Sequence, residues 1–249
     1  MIAFCLVVLT VSSIGIPGHV DARRPVPSVK RNALPPIPVA VFAPADVNDA
    51  LVSRIRAETE AIWASAGVTF EWHRVFSEGQ GEPRQLEVTI DDRPRDLADG
   101  RQALGWITFT AGRPEKSIHL SRSNVEDMLL RTPGVEDMTI QTHQTLIGRA
   151  LGRALSHEIG HYLLQSKIHT PHGLMRAIWP SGEFFAVRRS GFELTATERA
   201  AAVQHLRDDW LSDGSQEEDL STLDGLREQA LHGHATRGIE AASGLVTDD

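Results

Sequence analysis

The chain has 249 residues, room for one large catalytic domain or two small ones, and at 41% hydrophobic and 23% charged it belongs with globular proteins rather than disordered chains. Its net charge of −8, from 25 Lys+Arg against 33 Asp+Glu with no basic stripe, excludes a nucleic-acid-binding surface as its main function. One cysteine and eleven histidines exclude an internal disulfide, a zinc finger and an iron–sulfur site, so histidine is the natural carrier of any metal chemistry.

The apolar run Ile2 to Ile16, followed by Pro17, Gly18 and Val20-Asp21-Ala22, reads as an export signal (1–22) cleaved after Ala22. A spanning helix wants roughly 20 apolar residues and this run stops at Pro17, so a retained N-terminal anchor is the alternative that length disfavours. The expected location is secreted or periplasmic, with no stable membrane insertion after cleavage. Cys5 lies inside the run, so the cleaved chain would contain no cysteine. Residues 23–36, with Pro25, Pro27, Pro35 and Pro36, read as an extended linker, because proline fixes φ and removes a donor.

The catalytic domain is expected over 37–210. Ile37 to Ala43 is strand-like and ends at Pro44. Val47, Leu51, Ile55 and Ile62 then recur at helical spacing, with Asp46 as candidate N-cap and Gly67 as the stop. Val68–Val75, Leu86–Asp91, Gly105–Thr110 and Ser117–Ser121 read as further strands. A short helix is expected within Asn124–Val135, ended by Pro133-Gly134. From Thr139 to Gln165 runs the strongest helical signal: Ile147, Leu151, Ala154, Leu155, Ile159 and Tyr162 share one apolar face, and Gly148 and Gly152 admit a close neighbour. Residues 166–192 read as loop, and Thr195–Trp210 as a helix opened by a Thr195/Glu198 capping box. Residues 211–249 form a polar acidic tail. The fold class is α+β: a mixed twisted sheet of about five strands with one crossover helix, a long site-bearing helix, and a smaller, mostly irregular and helical C-terminal part.

Within the long helix stands His157-Glu158-Ile159-Gly160-His161. Histidines four apart lie one turn apart on one helical face and converge on a single ion, with the glutamate beside them where a water would sit. Catalytic zinc takes three protein ligands and leaves a fourth position open, lowering the pKa of a bound water to about 7. Glu158 is then placed to take that proton and pass it to a leaving amine. One Zn²⁺ is the expected cofactor. For the third ligand His169 comes first, because the loop reaches back from the helix end; His172 and Glu183 are the alternatives.

These residues, with the downstream His169 and His172-Gly173-Leu174-Met175, resemble the metzincin branch of the zincin metallopeptidases. The resemblance implies a strand-helix-strands-helix order, His157, His161 and His169 as zinc ligands, Glu158 as general base, and Met175 as the methionine of a turn beneath the metal. Leu164 and Lys167 stand where that family carries glycine and histidine, so His169 implies a loop two residues longer and a different helix exit. The same likeness places a sheet edge strand above the cleft, and Ile118-His119-Leu120 is the candidate, although a strand histidine such as His119 is more often merely half-buried. Tyr162 reads as core, and His73, His143, His205, His232 and His234 as surface.

The expected activity is zinc-dependent hydrolysis of peptide bonds within protein or peptide substrates by a monomer that binds no nucleic acid. The alternatives are a zinc-bound, non-proteolytic domain that holds a protein partner in the same cleft, and a metal-free domain whose histidines merely pack.

Overall fold

Five runs rich in β-branched and aromatic residues assemble into one sheet: β1 Ile37–Phe42, β2 Phe70–Val75, β3 Leu86–Asp91, β4 Gly105–Thr110 and β5 Arg113–Ser121. The computed structural model describes residues 34–209 except 80, 81, 83 and 98–101. The expected export signal with Cys5, most of the proline-rich linker, the acidic tail, His232 and His234 lie outside the described residues. The described residues all fall in the unit that begins at Leu34. None of their helices is long and apolar enough to cross a membrane.

The strand order is β2-β1-β3-β5-β4. β1 pairs parallel with β2 and β3, and β3 parallel with β5, while β4 alone is antiparallel, as the outer arm of a hairpin with β5. Parallel neighbours need a crossover, and α1 (Asp49–Trp63) supplies it between β1 and β2. The hairpin turns through Ala111 and Gly112 at φ 51 and 81, the left-handed pair that a two-residue loop requires. This topology corrects the expected edge strand. β5 is interior, with Ile118 and Leu120 fully buried, and β4 forms the rim. The hairpin folds β4 back outside β5, so the last strand in sequence is not the outermost in space.

The N-cap of α1 is Asn48, whose side chain accepts from the Leu51 amide at 2.9 Å; Asp46, the expected cap, instead accepts from Arg122. The helix passes into a 3₁₀ turn and stops at Gly67, φ 70, as the sequence leads one to expect. α2 spans Arg122–Leu130, and α3, the long helix, spans Ile140–Leu163 with Thr139 capping the Thr142 amide. Every residue of the expected apolar face of α3 is buried. Its two glycines explain how closely it lies on α1: a Cβ at Gly148 would stand 2.7 Å from Arg54 Cβ, and one at Gly152 only 2.8 Å from the Ile55 carbonyl oxygen.

A buried ion pair fastens the same two helices. Arg153 of α3 donates through Nε to Glu58 of α1 at 2.8 Å, and Arg189 donates to the other carboxylate oxygen at 2.8 Å. Arg153 also donates to the Glu183 and Arg188 carbonyls, which ties the segment after the site to α3. Within the expected loop 166–192 lies a short helix, α4 (Ser181–Phe185), nucleated behind Pro180. Helix α5 covers 196–209. Its capping box is formed, with Glu198 accepting from the Thr195 amide at 2.7 Å and Thr195 Oγ1 from the Glu198 amide at 3.2 Å.

Candidate metal centre and its cleft

The last two turns of α3 bring His157, Glu158 and His161 beneath the rim strand β4. The two imidazoles stand with Nε2 atoms 3.1 Å apart. Each is oriented by its other nitrogen: His157 Nδ1 donates to the Leu174 carbonyl at 2.8 Å and His161 Nδ1 to the Ser166 carbonyl at 2.6 Å. A neutral imidazole has one proton, so with Nδ1 donating, each Nε2 offers a lone pair. Two lone pairs at this separation repel each other unless a cation lies between them. Nitrogens about 2.0–2.1 Å from one tetrahedral zinc ion are about 3.4 Å apart, close to the spacing seen. Burial keeps both rings in the neutral, ligating form, pushing His157 down to about 3 and His161 below the ordinary histidine value.

The chain leaves α3 by a sharp reversal. Gln165 adopts φ 49, the left-handed conformation that glycine usually takes at a helix end. Its side-chain amide donates to the Tyr162 carbonyl at 2.7 Å, covering one of the exposed helix-end acceptors. The Ser166 amide donates back to the His161 carbonyl at 3.2 Å, so the reversal and the orientation of His161 are built from the same residue. The reversal returns His169, whose ring stacks at 5.2 Å on His157 and stands edge-on at 4.9 Å to His161. Ligand nitrogens of the three histidines all lie within 4.8 Å of one another. Three imidazoles converging in this way form a donor set that suits zinc, with the Leu174 and Ser166 carbonyls already holding two of them.

The alternative ligands stand elsewhere. His172 is exposed and outside the cluster, and Glu183 sits on α4, where it accepts from Arg176 at 2.9 Å. Met175 lies almost fully buried under α3, where a Cβ at Gly160 would come within 2.3 Å of its sulfur. The turn that carries it is pinned by the Thr170 amide to the Met175 carbonyl at 2.9 Å and by the Leu174 amide to the Glu193 carbonyl at 2.9 Å. Since Leu174 supplies the carbonyl that orients His157, the methionine turn also sets that histidine's tautomer.

Glu158 is buried, and burial pushes its carboxyl up to about 8 against the opposing effect of a hydrogen bond from the Ile107 amide of β4. Such a carboxyl exchanges a proton near neutral pH. Gly105 of β4 lies close against this site, where a Cβ would stand 3.1 Å from Leu120 and 3.2 Å from the Glu158 Cγ. His119 faces a different neighbourhood: it stacks on Trp106 at 5.0 Å, and burial lowers its pKa. Tyr162 is core, as expected, edge-on to His205 at 6.0 Å. His73 is half exposed beside Glu71, and His143 is half-buried near the Val135 carbonyl.

The cluster opens into a cleft of about 1030 Å³. Its walls include residues that no local pattern singles out. Trp179 and Phe192 stack at 3.9 Å with Phe184 edge-on, and the Arg153 guanidinium lies 4.6 Å over Phe192. On the other side Trp106 of β4 carries Arg95 over its ring at 4.6 Å. Only the concentration of aromatics in 179–192 hints at a wall, and spacing does not distinguish it from core.

No protein-family model and no curated protein matches the chain. Among solved structures it is similar to the crystal structure of archaemetzincin from Methanopyrus kandleri, with a TM-score of 0.45, 14% identity, and coverage of 72% of this chain and 99% of that one.

Proposed function

We propose that the chain is a zinc-dependent endopeptidase. The observation that carries this reading is the convergence of three histidine nitrogens beside a buried glutamate in an open cleft. His157, His161 and His169 would hold the ion; when bound, zinc supplies Lewis acidity, polarising a carbonyl and acidifying water. Glu158 accepts a proton from water on a carboxylate oxygen and afterwards delivers it to the nitrogen of the departing amine. An extended peptide lies along the outer edge of β4, the exposed rim of the sheet, by adding main-chain hydrogen bonds to it. The aromatic wall of Trp179, Phe184 and Phe192 receives an apolar side chain of that peptide.

Purified full-length chain should contain about one zinc per molecule and should cleave an unstructured protein or a broad peptide library. A chelator and Glu158→Gln should each abolish cleavage, the latter with zinc content unchanged. Zinc-loaded protein that cleaves nothing, or a Glu158→Gln variant as active as the parent, overturns the reading.

A further inference from the structure

The protein is acidic overall, at −8, yet the cleft walls are basic. Arg95, Arg131 and Lys167 face it, with Asp96 as the opposing acid besides Glu158. Arg153 and Arg176 also reach the cleft, but Glu58 and Glu183 pair with them. Among the described residues no carboxylate forms an ion pair with Arg95; its exposed guanidinium rests on the Trp106 ring. A guanidinium stacked on an aromatic face keeps its planar edge of N–H donors free for a carboxylate.

The position of Arg95 is also rigidly built. Its carbonyl accepts from the Ala103 amide at 2.9 Å and from the side-chain amide of Asn124 at 3.0 Å, and Asn124 is fully buried. Nearby, Ser121 Oγ donates to the Arg93 carbonyl at 2.9 Å, so the segment is held at two points from the start of α2. Trp106 immediately follows Gly105, where a Cβ would stand 3.2 Å from the Glu158 Cγ, and the Arg95 charge acts on Glu158 itself. A fixed cation with no ion-pair partner among the described residues thus stands on the rim beside the candidate base, in a cleft whose walls concentrate positive field.

Resting on the peptidase reading, we propose that Arg95, braced over Trp106, is a specificity residue that selects peptides carrying a carboxylate beside the bond to be cut. That carboxylate is an Asp or Glu side chain or the peptide's own C-terminal carboxylate, which offer the same planar pair of oxygens.

The test uses full-length, zinc-loaded protein and quenched fluorescent peptides that differ only by Asp/Asn or Glu/Gln at positions flanking the scissile bond, each with a free and an amidated C-terminus. A charge-assisted hydrogen bond predicts about tenfold higher kcat/KM for the carboxylate peptide, carried mainly by KM and shrinking as salt rises. In Arg95→Gln the carboxylate-to-neutral ratio should fall to about one, and in Arg95→Glu it should fall below one, in favour of the neutral peptide. If amidation alone removes the preference, the C-terminal carboxylate is the group read; if the side-chain swap alone does so, the acidic residue is. Equal cleavage of acidic and neutral peptides by the parent, or a preference that survives in Arg95→Gln, overturns the proposal. If nothing is cleaved, the peptidase reading fails while this one is still decided: fluorescence anisotropy on zinc-loaded Glu158→Gln should show the same peptides binding about tenfold tighter with a carboxylate than without, and no such difference after adding Arg95→Gln.

Discussion

Replacing Glu58 by glutamine tests whether the site helix owes its placement to a buried charge pair. Arg153 is fully buried and Glu58 nearly so, while Arg189, the second partner, is 45% exposed. Glutamine keeps one acceptor for Arg153 Nε but turns an NH₂ toward Arg189 and removes the charge that compensates a buried guanidinium. Removing one member of a buried pair costs about 3–5 kcal/mol, and the retained acceptor places this variant near the low end, about 3 kcal/mol. For a domain of this size 1 kcal/mol moves Tm by about 2–4 °C, so Tm should fall by about 6–12 °C. Arg189→Gln removes only the exposed partner and should cost less than about 1 kcal/mol. The double change Glu58→Leu with Arg153→Met should lie above Glu58→Gln alone, because no buried charge is then left unpaired. Urea unfolding followed by tryptophan fluorescence, with the m value checked for constancy, reads all three. A Glu58→Gln loss under about 1 kcal/mol, or one no larger than that of Arg189→Gln, would refute the claim that this pair clamps α3 to α1.

Further outcomes follow from the site and its frame. His157→Ala should bring zinc after dialysis well below one per chain with an unchanged far-UV circular dichroism spectrum, as measured by elemental analysis. Gly160→Ala drives a methyl into the Met175 sulfur and should destabilise by about 1–3 kcal/mol; adding Met175→Ala should make the two effects clearly non-additive in a double-mutant cycle. Ala111 sits at φ 51 in the β4–β5 turn, where a left-handed alanine costs about 1–2 kcal/mol. Ala111→Asn should therefore raise the urea midpoint, by about 1 kcal/mol of stability. A lowered midpoint would count against the turn geometry.

Much of the fold is legible in the sequence because the signals are local. The α3 apolar face repeats at helical spacing, Leu86–Asp91 and Gly105–Thr110 are strands with the bounds their patterns suggest, and the Thr195/Glu198 capping box needs only neighbouring residues. Where two local signals compete, the sequence is a poorer guide: Asp46 and Asn48 are both capable caps, and the salt bridge that draws Asp46 to Arg122 is non-local. β5 reads as the rim only because it is last in sequence, whereas the hairpin that places β4 outside it is a matter of spatial order.

The candidate site divides in the same way. His157, Glu158 and His161 are juxtaposed by helical geometry alone, one turn of α3 holding the two imidazoles together, so the sequence by itself determines that pair and its glutamate. It also determines the shortage of cysteine that leaves histidine as the donor. The return of His169 depends on a left-handed Gln165 and on Ser166 binding both a main-chain and an imidazole group of His161, so its nearness to the other two imidazoles, which His172 and Glu183 do not share, is a product of tertiary structure. The cleft is likewise tertiary: Arg95 comes to rest on Trp106 through a buried Asn124, and Trp179, Phe184 and Phe192 meet because α4 folds back on α3. Side chains one helical turn apart meet in any fold that forms the helix, but those joined by loops meet only where packing closes the chain on itself.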